Sequence, residues 1–259
     1  MLSLAEDKSR MKYPDIDPIA LSIFGQINIH WYALTYLVAF FLCWRIMKAT
    51  RGTGDRAWSD QQISDLLSAG MVGVILGGRI GYVLFYGFDA FISNPLVLFR
   101  IWEGGMSFHG GLVGVIVALW VYANRTERGF FAVTDFVVLG VPLGLACGRI
   151  GNFINAELPG RVSDVPWALV YPGDVVTRHP SSIYQMVAEG PMLLLFVWWF
   201  SRSANRAGQL SGAFLLGYGA LRFCTEFFRL PDAHLGFMAL GWVTQDKFCV
   251  CQWYYWAPI

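Results

Sequence analysis

The stretch "FVVLGVPLGLACGRIGNFINAEL" (136–158) decides the fold class, because an apolar run passes directly into a strongly polar segment. Its first eleven residues contain no charged or amide side chain, which is typical of a helix that crosses a membrane. Its last ten residues hold four strongly hydrogen-bonding side chains: Arg149, Asn152, Asn155 and Glu157. The hydrocarbon of a membrane offers these side chains no hydrogen-bond partner. This end of the helix is therefore predicted to face the protein interior or water.

The composition of the whole chain points to the same class. Of its 259 residues, 56% are apolar and only 14% are charged, whereas soluble proteins average about 25% charged residues. These values indicate a polytopic membrane protein. The net charge of +1, without any basic tract, argues against a nucleic-acid partner.

Six segments reach or approach the roughly 20 apolar residues that cross a hydrocarbon core. We therefore predict an all-α, polytopic membrane helix bundle with spans at 29–47, 63–87, 107–123, 133–152, 183–201 and 209–228. The closing segment 235–259 has no clean apolar run and contains Asp246 and Lys247. A seventh span is therefore doubtful, and the segment is expected to be an atypical tail, as a truncated or frameshifted ending would be.

Basic residues in the loops predict the orientation. They are concentrated in the short links after spans one, three and five, at Lys48, Arg51, Arg56, Arg125, Arg128, Arg202 and Arg206. Such links lie on the cytoplasmic side by the positive-inside rule. The N-terminus and the long link 153–182 are therefore predicted to lie outside.

Glycines at intervals of four residues predict close helix packing. These GxxxG units are formed by Gly73, Gly77 and Gly81, by Gly110 and Gly114, and by Gly140, Gly144 and Gly148. Glycine lets two helix backbones approach closely where lipid supplies no hydrophobic drive between them.

Three arginines inside predicted spans do not fit the loop pattern: Arg79, Arg149 and Arg222. Each would cost about 2.5–3.5 kcal/mol at the bilayer centre, so each is predicted to face the bundle interior or an aqueous cavity. For Arg79 a structural role is equally open, in which it pairs with a carboxylate such as Asp135.

The other two arginines have polar neighbours at helical spacing. Tyr218, Arg222 and Glu226 stand at i, i+4 and i+8, and Arg149 is followed at i+3 by Asn152. The two arginine-bearing faces are expected to converge near the outer leaflet. Guanidinium groups present forked donors that suit the oxygens of a phosphate, and they stay charged at low dielectric. The predicted ligand is therefore a phosphate.

A histidine begins the third predicted span in "GGMSFHGGLVG" (104–114). His109 is flanked by glycines that permit close approach of a ligand. It is either a satisfied structural histidine or a proton acceptor near the phosphate site. The four histidines of the chain have no metal-ligand spacing, so no metal and no cofactor are expected.

Several collinear blocks resemble the prolipoprotein diacylglyceryl transferase family: "HWYALTY" (30–36), "GGRIGYVLFY" (77–86), "GGMSFHGGLVG" (104–114), "GRIGNFINAELPG" (148–160), "RHPSSIYQ" (178–185) and "GYGALRFCTEFFRLPDA" (217–233). The resemblance implies a seven-span enzyme of the bacterial inner membrane, with its active site facing the periplasm. It implies transfer of the diacylglyceryl group of phosphatidylglycerol to the lipobox cysteine thiol of a prolipoprotein signal peptide. The products would be a thioether and glycerol 1-phosphate, the first step of lipoprotein maturation.

The resemblance also assigns residues. The family's essential arginines correspond to Arg149 and Arg222, and its motif histidine to His109, our candidate base. Glu226 would orient Arg222, and Tyr32 is the next candidate for the proton. The expected substrate-binding set is Arg79, Arg149, Asn152, Asn155, Glu157, Gly160, Tyr218 and Arg222.

The family pattern is not matched at every position. Ala156 stands where the family usually has glycine, Pro159 where it has a bulkier residue, and Gln185 where it has glutamate. The expected divisions are an extracytoplasmic segment 1–28, a transmembrane catalytic domain 29–234 and the tail 235–259. The alternative function is a non-catalytic transporter or binder of an anionic lipid, in which the same arginines hold the substrate without chemistry.

Overall fold

The computed structural model describes residues 11–24, 27–52 and 57–230. The chain divides into two compact units, which are described separately. The first unit contains the residues up to Cys43 and those from Val138 onward, and the second unit is Trp44–Val137. The predicted tail 235–259 lies outside the described residues.

The described part of the chain is mostly helical. Its helices are α1 (Trp31–Ala49), α2 (Asp60–Phe85), α3 (Phe88–Ser93), α4 (Phe108–Arg125), α5 (Phe130–Val137), α6 (Val141–Ile154), α7 (Ser181–Val187), α8 (Leu193–Ser201) and α9 (Gln209–Glu226). Every predicted span coincides with one helix or with two successive helices. Three helices, Trp31–Ala49, Asp60–Phe85 and Ser181–Ser201, are long and apolar enough to cross a membrane, or four if the bent pair α5 and α6 is one span. The membrane class of the fold is confirmed at this level.

Two small sheets add to the predicted all-α fold. In the first unit, β1 (Met11–Lys12) pairs with β4 (Leu169–Val170), which pairs with β5 (Thr177–Arg178). In the second sheet, β2 (Ile19–Ile23) pairs antiparallel with β3 (Ile27–His30). These strands have two to five residues, and the longest, β2, shows no strict alternation of apolar and polar side chains, so the sequence did not predict them.

Serine caps fix where two helices of the second unit begin. Ser59 accepts a hydrogen bond from the backbone N–H of Gln62, whose side chain accepts one from Ser59 N–H, so α2 starts with a capping box. Ser107 accepts from the N–H of Gly110 at 3.2 Å. This cap places His109 in the first turn of α4.

Glycines let α2 and α4 cross closely in the second unit. A Cβ atom on Gly77 would lie 2.7 Å from Gly114 Cα, and one on Gly81 would lie 2.7 Å from Gly110 Cα. The close packing predicted for Gly73, Gly77, Gly81, Gly110 and Gly114 is confirmed.

Two glycines of α6 show no such packing among the described residues. No described atom lies within 4 Å of a Cβ placed on Gly144 or Gly148, so neither marks a close crossing with an element that the structure describes. The prediction holds for Gly140, the residue before α6, because a Cβ there would lie 3.2 Å from Cys43 Sγ. The GxxxG spacing marks one face of a helix but not the element that covers it.

A π-helical turn at Ala188–Met192 joins α7 to α8 in the first unit. Pro191 has no N–H to donate to the ordinary helical ladder, which favours the wider turn at this point. A Cβ on Gly190 would lie 2.6 Å from Ala146 Cβ, so the turn packs directly on α6. After this turn, α8 and α9 pack together around an apolar cluster that includes Leu193, Val197 and Phe214.

Candidate functional site

The carboxylate of Glu189 lies at the centre of the polar site in the first unit. It is fully buried, and it accepts hydrogen bonds from Arg149 Nε at 2.8 Å and Arg149 Nη2 at 3.3 Å. Its Oε1 atom also lies 3.8 Å from Arg222 Nη1. One carboxylate on the π-helical turn therefore links the arginine of α6 to the arginine of α9.

The predicted helical pair on α9 is present. Arg222 Nη2 lies 3.1 Å from Glu226 Oε2, at the i, i+4 spacing, and Glu226 is almost fully buried. Arg229 Nη1 lies 3.7 Å from the same Glu226 oxygen. Two buried carboxylates thus hold three guanidinium groups, which is an arrangement that keeps arginines charged inside a membrane protein. Tyr218 lies one turn before Arg222 on the same helix and is partly buried beside the apolar cluster.

The end of α6 presents a second polar group. Asn152 Nδ2 donates to Glu157 Oε2 at 2.8 Å, and Asn155 Nδ2 donates to Glu157 Oε1 at 3.1 Å. The Glu157 side chain is exposed, whereas the loop behind it is anchored by buried serines. Ser181 Oγ donates to Leu158 O at 2.5 Å, and Ser182 Oγ donates to Glu157 O at 3.2 Å.

Two residues of this loop have left-handed backbone conformations. Ala156 and Leu158 both have φ of 55°, on either side of Glu157. A side chain strains this conformation and glycine does not, so the structure supplies a physical reason for the glycine expected at Ala156 in the family pattern. Strain of this kind persists where the surrounding contacts enforce it, as the two serines do here.

Gly160 joins three parts of the first unit. Its N–H donates to His179 O at 3.0 Å, and the next residue, Arg161, donates from its N–H to Phe228 O at 2.9 Å. A Cβ at Gly160 would lie 2.7 Å from Phe228 O. Only glycine fits this crossing, which ties the loop to the start of α7 and the end of α9.

Tyr32 reaches the same site from α1. Its ring packs on Gly151, where an added Cβ would lie 2.6 Å from Tyr32 Cδ2. Its hydroxyl lies 3.4 Å from the Tyr36 hydroxyl and interacts electrostatically with Glu157 and Arg149. The structure therefore brings Tyr32 beside the α6 polar end.

Arg79 lies in the second unit and is held by main-chain oxygens. Its Nε donates to Leu98 O at 3.2 Å, and its terminal nitrogens donate to the carbonyl oxygens of Val97, Gly104 and Gly105. These partners, rather than the carboxylate of Asp135, satisfy the guanidinium. The geometry favours the structural alternative for Arg79, as the organiser of the segment that leads into α4.

His109 also lies in the second unit, at the first turn of α4, and its side chain is exposed. It lines an apolar groove of about 1110 Å³ between α2 and α4, together with Leu76, Ile80, Val113 and Val117. An imidazole beside a groove of aliphatic side chains can exchange a proton with a reactant whose acyl chains lie in that groove.

Two buried polar residues of the α7 region were not predicted as site residues. Glu189 and Gln185 each have 0% relative exposure. Glu189 could have been found, because a carboxylate inside the apolar segment 183–201 is a functional signal by default. Gln185 gave a weaker signal, since an uncharged amide is less costly in a membrane helix.

An arginine held by a buried carboxylate is preorganised to bind an anion. Glu189 occupies Nε and Nη2 of Arg149, while Arg149 Nη1 makes no hydrogen bond within the described residues. The Arg149 side chain keeps 18% exposure. Its remaining N–H groups can therefore donate to the oxygens of a phosphate.

Comparisons with known proteins point to one family. Residues 18–254 match the family model described as prolipoprotein diacylglyceryl transferase. A phosphatidylglycerol–prolipoprotein diacylglyceryl transferase of Coxiella burnetii (strain Dugway 5J108-111) is 52% identical over 236 residues, which cover 91% of this chain and 90% of the relative. Proteins of the same name from Chromohalobacter salexigens and Pseudomonas paraeruginosa are 51% and 49% identical, covering 92% of this chain and 88% and 89% of their own lengths.

Proposed function

This chain belongs to the prolipoprotein diacylglyceryl transferase family, and from that premise we propose that Arg149 and Arg222 bind the phosphate of phosphatidylglycerol during the transfer. The enzyme is a membrane transferase of lipoprotein biosynthesis that moves the diacylglyceryl group from phosphatidylglycerol to prolipoproteins. The observation that carries the proposed phosphate site is the link of both arginines to the fully buried Glu189.

The proposed reaction is a displacement at carbon. The lipobox cysteine thiol loses its proton to His109, and the thiolate attacks the glyceryl carbon that carries the phosphate ester. The new C–S bond replaces the C–O bond, whose electrons leave with glycerol 1-phosphate. Arg149 and Arg222 would neutralise the charge that develops on the departing phosphate. Tyr32 is the next candidate for proton removal.

The remaining site residues receive proposed roles from their contacts. Asn152, Asn155 and Glu157 would present hydrogen-bonding groups to the substrates, and Glu226 would orient Arg222. Gly160 and Tyr218 would shape the site. The groove beside His109 is lined by apolar side chains suited to acyl chains.

We extend the proposal to topology. The six helical segments that coincide with the predicted spans would cross the bacterial inner membrane, with the site open to the periplasm. The acceptor would be a prolipoprotein signal peptide with a lipobox cysteine. Residues 1–28 would be extracytoplasmic, 29–234 the transmembrane catalytic domain and 235–259 an atypical tail.

Product analysis tests the function. The purified protein is placed in liposomes that contain phosphatidylglycerol, and a lipobox peptide is added. Thioether-linked lipopeptide and free glycerol 1-phosphate are expected by mass spectrometry. Recovery of both substrates unmodified would instead support a transporter or lipid binder.

Arginine-to-lysine variants test the phosphate site in the same assay. Arg149→Lys and Arg222→Lys should each lower the transfer rate roughly 10²–10³-fold, nearly as much as alanine, because an ammonium does not reproduce the guanidinium fork. Arg202→Lys is the matched control, since Arg202 is exposed and lies 3.9 Å over the Trp198 ring. It should stay within about twofold of wild type. Full activity in both site variants would refute the phosphate role while leaving the function intact.

A further inference from the structure

Gln185 is a fully buried amide whose polar atoms have no partner in the described chain. Its side chain has 0% exposure, and neither Nε2 nor Oε1 makes a hydrogen bond to any residue that the structure describes. Burial of an unsatisfied amide is unfavourable, and the large majority of buried side-chain polar atoms have a partner. Gln185 is therefore expected to gain its partner from a bound molecule.

Helical spacing places this amide between the two polar groups of the site. Ser182, Gln185 and Glu189 are separated by three and four residues, so they share one face of the helix. Ser182 contacts the carbonyl oxygen of Glu157, and Glu189 contacts Arg149. Gln185 thus lies between the Glu157 loop and the proposed phosphate site.

The chemistry of the amide selects its partner. Nε2 has two N–H donors and Oε1 is an acceptor, so a partner that both donates and accepts satisfies it best. Phosphate oxygens only accept. A hydroxyl group does both, and the departing glycerol of phosphatidylglycerol carries two hydroxyls close to its phosphate.

We propose that Gln185 is a specificity-determining residue that binds the headgroup glycerol hydroxyls of phosphatidylglycerol. This rests on the proposed phosphate site, which would hold the neighbouring phosphate on Arg149. A neutral amide can form hydrogen bonds with these hydroxyls without changing the charge beside the two arginines. Donor lipids that lack these hydroxyls would leave the buried amide unsatisfied, and would react more slowly for that reason.

The test compares two donor lipids with identical acyl chains, phosphatidylglycerol and phosphatidylpropanol, which lacks both hydroxyls. Liposomes and a lipobox peptide serve as before, and the readout is the ratio of kcat/KM for the two lipids. Wild type is expected to prefer phosphatidylglycerol by roughly tenfold to a hundredfold. Gln185→Met should react more slowly with phosphatidylglycerol and bring the ratio close to one.

The matched control is Gln209→Met, the same substitution where the side chain accepts backbone hydrogen bonds from Asn205 and Arg206. It should keep the wild-type ratio. A wild-type ratio near one overturns the proposal without any variant, as does a Gln185→Met variant that keeps the wild-type ratio. If Gln185→Met does not fold, Gln185→Ala gives the same comparison. Absence of product from phosphatidylglycerol with wild type would overturn the proposed function instead.

Discussion

At the scale of single residues, Glu189 determines how the two arginines of the first unit are held. It is fully buried and makes a two-pronged contact with Arg149, while Arg222 lies 3.8 Å from the same carboxylate. Its negative charge offsets guanidinium groups that would otherwise be costly to bury. In the proposed reaction Glu189 would therefore act through the arginines rather than by contact with the reacting atoms.

Neutralising Glu189 should destabilise the protein. Glu189→Gln keeps the side-chain shape but removes the charge, and breaking a buried ion pair from one side costs about 3–5 kcal/mol. We expect a lower unfolding temperature in detergent, together with a reduced transfer rate, because Arg149 loses its fixed orientation.

Asp174→Asn is the control for this carboxylate. Asp174 pairs with Arg178 at 2.6 Å in the segment between α6 and α7, where that hydrogen bond lowers the pKa of Asp174, but the pair remains partly exposed. Its loss should leave the unfolding temperature nearly unchanged. A Glu189→Gln variant as stable as Asp174→Asn would contradict the charge-balancing role of Glu189.

At the scale of elements, the crossing of α2 and α4 depends on backbone contact. Gly77 packs so closely on α4 that an added Cβ would lie 2.7 Å from Gly114 Cα. Backbone cannot move aside as a flexible side chain can, so the helices would have to separate. The groove that includes His109 lies between these same two helices.

Gly77→Ala should therefore destabilise the second unit by about 1–3 kcal/mol, the usual cost of overpacking. Thermal unfolding in detergent measures the change. Gly70→Ala, on the same helix, is the control because no described atom lies within 4 Å of the added Cβ. Equal unfolding temperatures for the two variants would show that the α2–α4 contact contributes little to stability.

At the scale of the whole molecule, the proposed functional residues are divided between the two units. Arg149, Arg222 and Glu189 belong to the first unit, and His109 belongs to the second. Loss of the second unit's histidine should affect chemistry and leave the arginine network of the first unit unchanged.

His109→Gln should lower the transfer rate by roughly 10²–10⁴-fold, the usual contribution of general acid–base catalysis, while the unfolding temperature stays near that of wild type. His30→Gln is the control, since His30 is exposed at the end of β3. It should retain the wild-type rate. Loss of expression of His109→Gln would favour a structural role for this histidine. An unchanged transfer rate would make Tyr32 the candidate that removes the proton.

The sequence by itself determined the properties that depend on local order. Apolar runs predicted the membrane class and the positions of six helical segments, because burial in lipid requires long uninterrupted apolar stretches. The i, i+4 spacing predicted the Arg222–Glu226 pair, since helix geometry alone brings those side chains together. The resemblance to a transferase family was also readable from short motifs.

Only the tertiary structure decided which distant segments meet. Arg149 and Glu189 are 40 residues apart, and no helical period relates them. The same reason explains why Gly77 packs on a neighbouring backbone while Gly144, at an identical spacing, packs on no other element among the described residues. The left-handed conformation of Ala156 and the burial of Gln185 likewise follow from what surrounds them, which a one-dimensional pattern does not contain.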